Sequence, residues 1–162
     1  MGVLGKLQAF LDQNQVAYRH TSHPTAYTAR EVAAAEHVSA CEIAKTVVFL
    51  SENGYGMAVL CADSVVDLEQ LRLSLGLSRL RLATEAELSE LFPQCELGAM
   101  PPFGNLFNLP VYVDSRLSTQ ESIAFNAGSH RDLVHLRFRD FERLVNPAIL
   151  PFARHAAAAK SL

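Results

Sequence analysis

"KTVVFLSENGYGMAVLCA", residues 45–62, holds two apolar runs around a polar, glycine-bearing centre. Runs of this length, rich in Val, Leu and Phe and interrupted by "SENGYG", spell the two strands of a β-hairpin. Strand alternation then puts Lys45, Val47 and Phe49 on one face, with Ile43 just ahead of them. Lys45 is the odd member of that face, because burying an unpaired charge is costly. Two readings are open. Lys45 is a strand-edge residue whose stem packs while its head reaches water, or it is a cation aimed into a pocket to hold a carboxylate or phosphate.

Outward from the hairpin, helical and strand patterns interleave. Leu4, Leu7 and Leu11 recur at helical spacing and predict an amphipathic helix over 3–14. "VAYRH" reads as a short strand leading to a turn at Pro24. Thr28 with Glu31 forms a capping box that opens an alanine-rich helix to about residue 37. After the hairpin, Asp67 with Gln70 caps a helix through Leu68 and Leu71 that stops near Gly76. "RLRLA" reads as a strand, and Thr84 with Glu87 makes a second capping box whose helix ends at Pro93. "LPVYVD", "ESIAFNAG" and "LVHLRF" supply three more strands, and residues 140–145 the last helix. Several strands follow one another as hairpins, which predicts a single mixed α/β domain with a curved, partly antiparallel sheet flanked by helices. The domain is expected over 1–150, with a C-terminal tail over 151–162.

The 162 residues suit one domain. A formal net charge of -3 excludes a polycation, so any nucleic-acid contact needs a local patch drawn from Arg72, Arg79, Arg81, Arg131, Arg137, Arg139 and Arg143. Cys41, Cys61 and Cys95 are far apart and form no CxxC pair, so they read as reduced thiols of a cytoplasmic protein. No run is long enough for a membrane span, and no secretory signal opens the chain. GxGxxG and Walker patterns are absent, and His20 with His23 lacks a third ligand. Neither a cofactor nor a metal is expected.

Two loops carry further candidates. In "GAMPPFG", residues 98–104, Gly98 lets a backbone N–H approach a ligand while Pro101 and Pro102 stiffen the chain. Such a loop could present donors to a substrate carbonyl, or simply connect two elements. In "FNAGSHRD", residues 125–132, Gly128, Ser129 and His130 follow a strand. A Ser129–His130–Asp132 triad is rejected, since neighbouring residues diverge and triads are assembled from distant segments. His130 remains a candidate donor or proton shuttle, or a turn histidine. Cys61 or Cys95 as a thiol nucleophile has no activating feature beside it.

Lysine in "AKTVVF", Gly-x-x-x-Pro in "GAMPP" and "AGSH" about thirty residues later resemble, in order and spacing, the YbaK-type aminoacyl-tRNA deacylases, the prolyl-tRNA-synthetase-associated editing domains. "YRHTSHPTAYTAREVAAA" resembles that family's opening strand, proline and helix, so the likeness runs from about residue 3 to 147. The resemblance implies a free-standing, cytoplasmic trans-editing enzyme that hydrolyses the ester between a wrong, small amino acid and the terminal adenosine of a tRNA. It implies catalysis without metal, cofactor or covalent intermediate, by water assisted by the substrate's ribose hydroxyl. Lys45 matches the essential lysine, Gly98 the loop glycine that positions the aminoacyl group, and His130 a histidine found in some members. Met100, Pro101, Pro102, Gly128 and Ser129 would line the substrate. Where many relatives carry a second glycine and Ser-Pro, this chain has Met100 and Pro101, which bears on the amino-acid pocket. The partners implied are aminoacyl-tRNA and a synthetase. A non-catalytic module binding tRNA ends or a synthetase is the alternative.

Overall fold

The computed structural model describes residues 2–24, 33 and 38–155. The alanine-rich helix expected over 28–37 lies, apart from Ala33, outside the described residues, as does the tail beyond His155. Helix α1 (Val3–Gln13) turns Val3, Leu7 and Leu11 inward, the stripe its spacing requires. Strand β1 (Arg19–Ser22) follows. Strands β2 (Ala44–Ser51) and β3 (Gly54–Cys61) form the central hairpin, paired antiparallel from Ala44↔Cys61 to Ser51↔Gly54. After β4 (Ser64–Val66), the Asp67 carboxylate accepts the Gln70 N–H at 3.0 Å and starts α2 (Leu68–Ser74). Strand β5 (Leu80–Leu82) leads to α3 (Glu85–Leu91), opened by the Thr84–Glu87 capping box. The remainder is β6 (Val111–Asp114), β7 (Ser122–Asn126), β8 (Asp132–Arg137), α4 (Phe138–Val145), β9 (Ala148–Leu150) and β10 (Ala153–His155).

The largest sheet has the order β5-β2-β3-β6-β9. Its β5–β2–β3 part is antiparallel, whereas β3–β6 and β6–β9 are parallel. An antiparallel sheet β1-β8-β7 touches it through one parallel bridge, Ile43↔Ala124. A third pairing joins β10 to β4. The mixed α/β architecture expected from the sequence is therefore present. Both faces of β2 are covered. Ala44 and Val48 enter the main core with Leu7, Phe103, Phe125 and Phe141, while Val47 and Phe49 pack with Leu71 and Phe152.

Two expectations change. The folded unit does not stop at residue 150: Phe152 is fully buried, and β10 pairs with β4 over three residues. A three-residue strand after a proline carries too little periodicity to be seen in sequence. Nor are all three cysteines reduced. Cys41 and Cys61 form a disulfide with 4.5 Å between their Cα atoms, and Cys95 is free. The short 3-10 turn Ala40–Glu42 folds Cys41 back against the end of β3, a proximity that a separation of 20 residues conceals.

Because Phe152 is enclosed by Phe49, Leu60 and Leu71, Phe152→Ala should lower unfolding free energy by about 3–5 kcal/mol in denaturant titrations. A loss under about 1 kcal/mol would mean that the segment after residue 150 is a loosely attached tail.

Candidate active site

Lys45 is the second residue of β2, opposite Leu60 of β3. Its face continues into Val47 and Phe49, so the stem is packed and the residue is half-buried. Among the described residues its ammonium makes no hydrogen bond or ion pair. Burial holds its pKa below the ordinary lysine value, and the nearby negative charge of Asp63 opposes that shift.

The bridge Ile43↔Ala124 runs β7 alongside the start of β2. β7 then continues into the turn holding Ala127, Gly128, Ser129 and His130. Two residues on from the bridge stand Lys45 in one strand and Asn126 in the other, a step of about 7 Å along each chain. β7 thus leads from that bridge into the "AGSH" turn.

That turn is tied to the Gly98 loop by a short ladder. Glu96 N–H donates to the Gly128 carbonyl at 2.9 Å, and Gly128 N–H to the Ala99 carbonyl at 2.8 Å. The Glu96 carboxylate accepts His130 N–H at 2.7 Å. The His130 ring reaches back, with Nε2 2.6 Å from the Leu97 carbonyl oxygen. A carbonyl can only accept, so Nε2 carries the proton and Nδ1 is the ring nitrogen left for a substrate. The two motifs, about thirty residues apart in sequence, form one rigid double loop.

Gly98 is exposed and has φ +81°, a conformation that glycine adopts without strain. A Cβ placed there would stand 3.6 Å from His130 Cε1, an ordinary contact, so conformation rather than space demands glycine. No acceptor among the described residues takes the Gly98 N–H. The Leu97–Gly98 peptide is held by its carbonyl against the His130 ring, so in this trans unit the Gly98 N–H points away from that ring.

The remaining candidates fall into other places. Ala99, Met100, Pro101, Pro102 and Phe103 are buried, and Met100 belongs to the main core. The loop is therefore anchored from beneath by these side chains, and Met100 is no exposed wall of a pocket. Gly128 has both backbone polar groups engaged, and its φ is +96°. A Cβ on it would come within 3.0 Å of Val3 Cβ, so this glycine lets α1 approach the loop. Ser129 Oγ donates to Asp132 Oδ2 at 2.8 Å and accepts the N–H groups of Arg131 and Asp132. Gly128 and Ser129 thus build the turn.

Asp132 also meets His20 Nε2 at 2.8 Å through its other oxygen. In this Ser129–Asp132–His20 chain the carboxylate lies between hydroxyl and imidazole, the wrong order for a triad. His23 contacts Thr21 Oγ1 at 3.3 Å. Among the described residues no group of three or more His, Cys, Asp or Glu is placed to hold a metal, and no helix is long and apolar enough to cross a membrane. Cys61 is consumed in the disulfide, and burial pushes the Cys95 thiol up to about 11, which leaves it protonated and inert. Glu96 leaves no signal in the sequence, and Asp132 is weighed there only as a triad member. An acid in a loop reads as solvated, and the His20–Asp132 contact spans 112 positions.

Gly98→Ala should fold with a loss of about 1–2 kcal/mol from its left-handed backbone. If the amide geometry matters, the deacylation rate should fall far more than that loss of stability can explain. Folded protein with unchanged turnover would remove the loop from the site.

Comparison with known proteins fits this geometry. Residues 23–144 match the family model of the aminoacyl-tRNA editing domain. The multifunctional Ser/Thr-tRNA deacylase ProXp-y of Escherichia coli strain K12 is 32% identical over 156 residues, 93% of each chain, and that of strain O157:H7 matches equally. A solved structure put forward as a trans-editing enzyme for prolyl tRNA synthetase superposes with a TM-score of 0.82 at 23% identity, over 94% of this chain and 97% of that one. At that identity the superposition speaks for the fold, while the family match and the sequence relatives speak for descent. The chain belongs to the aminoacyl-tRNA editing domain family, the YbaK-type deacylases that its lysine, glycine loop and histidine resemble.

Proposed function

We propose that this deacylase removes a small amino acid, serine or threonine first among them, from mischarged tRNA in trans. The observation that carries the reading is Lys45, a half-buried ammonium with no hydrogen-bond or ion-pair partner among the described residues, taken together with the Gly98–His130 double loop. An aminoacyl ester at the end of a tRNA supplies what is missing there: a phosphate for the cation and a carbonyl for the loop amide. The sequence relatives bear names that specify serine and threonine. A loop pinned by buried Met100 and Pro102 has little freedom to admit bulk. A tRNA substrate fits a cytoplasmic enzyme.

An aminoacyl ester is already activated, so orientation and electrostatics can supply most of the acceleration. Lys45 holds the phosphate end and fixes the ester. Water, assisted by the neighbouring ribose hydroxyl, attacks the carbonyl carbon. The Gly98 N–H meets the oxygen as it gains negative charge. The His130 ring, with Nε2–H fixed on Leu97, keeps that amide in place and offers Nδ1 as an acceptor toward the substrate. Collapse expels the ribose oxygen, which takes up a proton, and releases the amino acid. No enzyme atom is acylated.

On a panel of mischarged tRNAs, seryl and threonyl esters should be hydrolysed at least tenfold faster than phenylalanyl esters, because a rigid site rejects bulk sterically. Equal rates would contradict the size limit. His130→Ala should slow turnover while quenched wild-type and variant reactions both lack acylated protein in intact-mass spectra. An acylated protein would overturn the water mechanism.

Lys45→Met should fold with stability unchanged or raised by about 1 kcal/mol, since a buried charge without a counter-ion is removed. Its deacylation rate should drop by about a hundredfold or more. The pH dependence has a definite sign. The folded protein releases the Lys45 proton at lower pH than the unfolded chain, whose value is near 10.5. The unfolded state therefore binds more protons in that window, and wild-type stability should gain from Lys45 as pH rises toward 10.5. Denaturant midpoints of wild type and Lys45→Met measured from neutral pH to pH 10.5 should converge or cross in that direction.

A further inference from the structure

Asp63 lies in the turn after β3, next to Ala62, whose N–H donates to the Ile43 carbonyl at 2.8 Å. That bond sets the turn beside the first residues of β2, and Asp63 is the anion whose field reaches the Lys45 ammonium. A carboxylate so placed would gain by closing on a half-buried cation that has no partner among the described residues. It does not close. The Arg116 guanidinium grips both its oxygens, Nη1 to Oδ1 at 2.9 Å and Nη2 to Oδ2 at 3.2 Å, and Nη1 also reaches Ser64 Oγ at 3.1 Å. A planar fork satisfies a carboxylate in a way that a point charge cannot. His155 of β10 stands 3.6 Å from Oδ2.

Arg116 is itself anchored. Its backbone N–H donates to Asp114 Oδ2 at 3.1 Å. Asp114 is 4% exposed at the end of β6, and its Oδ1 accepts the N–H groups of Phe152 and Ala153 at 2.9 and 3.0 Å. A chain of fixed contacts thus runs from the buried Asp114 through Arg116 to Asp63, and stops short of Lys45.

We propose that Arg116 is a positioning residue for deacylation: it restrains Asp63 so that the carboxylate cannot capture the Lys45 ammonium, which stays open to the anionic end of the substrate. The proposal rests on the reading of Lys45 as the site cation. Removing the restraint frees Asp63 to form the pair, and the pair competes with substrate. Removing Asp63 as well abolishes the competitor.

The test is single-turnover deacylation of seryl-tRNA by Arg116→Gln, by Asp63→Asn with Arg116→Gln, and by Lys45→Met, beside wild type. Competitive acetylation of Lys45, read by mass spectrometry, supplies a measure that general loosening of the fold would not lower. Arg116→Gln should be about tenfold slower, with Lys45 less reactive toward the reagent, and the double variant should recover most of the rate and the reactivity. If Arg116→Gln does not fold, Arg116→Lys with and without Asp63→Asn gives the same comparison. A wild-type rate in the single variant, or a double variant no faster than the single one, overturns the proposal. Lys45→Met separates the levels. Full activity in that variant removes the cation reading itself, whereas an inactive Lys45→Met beside a fully active Arg116→Gln overturns only the role of Arg116.

Discussion

The eight-pair register between β2 and β3 is the constraint from which the rest of the molecule follows. Side chains alternate across a strand, so a slip of one residue would exchange the two faces of β2. It would send Val48 out of the main core and Lys45 into it. Burial on both faces forbids that slip, because Val48 and Phe49 belong to different hydrophobic clusters. The packing that makes β2 a core strand is therefore what holds its lysine at the boundary between protein and solvent.

The double loop solves a different problem. A site that works by fixed dipoles must hold them still before the substrate arrives, since any reorganisation is subtracted from the acceleration. In the proposed mechanism the donors sit on loops, which are ordinarily mobile. Their stiffness comes from what surrounds them: a buried run from Ala99 to Phe103 below, the ladder between Glu96 and Gly128 at the side, and the Ser129–Asp132 contact behind. His130 is held at its backbone by Glu96 and at its ring by Leu97, which is more restraint than a freely shuttling imidazole would have.

Much of the scaffold was legible because its signals are local. The hairpin, the α1 stripe and the caps at Asp67 and Thr84 each depend on residues within a few positions, and each stands where the pattern puts it. Of the short edge strands, β5 was legible in "RLRLA" but others were not. β4, β9 and β10 have three residues each, too few to establish a period, and they exist because neighbouring strands offer partners. In the site, the residue types and order of Lys45, Gly98 and His130 could be read, but the division of labour around them could not. Gly128 and Ser129 look as exposed in sequence as His130 does, yet their polar groups are spent on the turn. Met100 looks like a pocket wall and is core. The contacts that decide this, such as Glu96 to His130 across 34 positions, leave no trace in a linear pattern.

The meeting of Gly128 with Val3 has a consequence for how such a chain can change over generations. With only 3.0 Å available to any Cβ at position 128, the first turn of the opening helix and the turn that carries the histidine share one small volume. Residues at the two positions cannot enlarge independently, and an alteration far from the chemistry, at the very start of the chain, is felt at the imidazole. The two ends of this contact are sterically coupled although 125 positions part them.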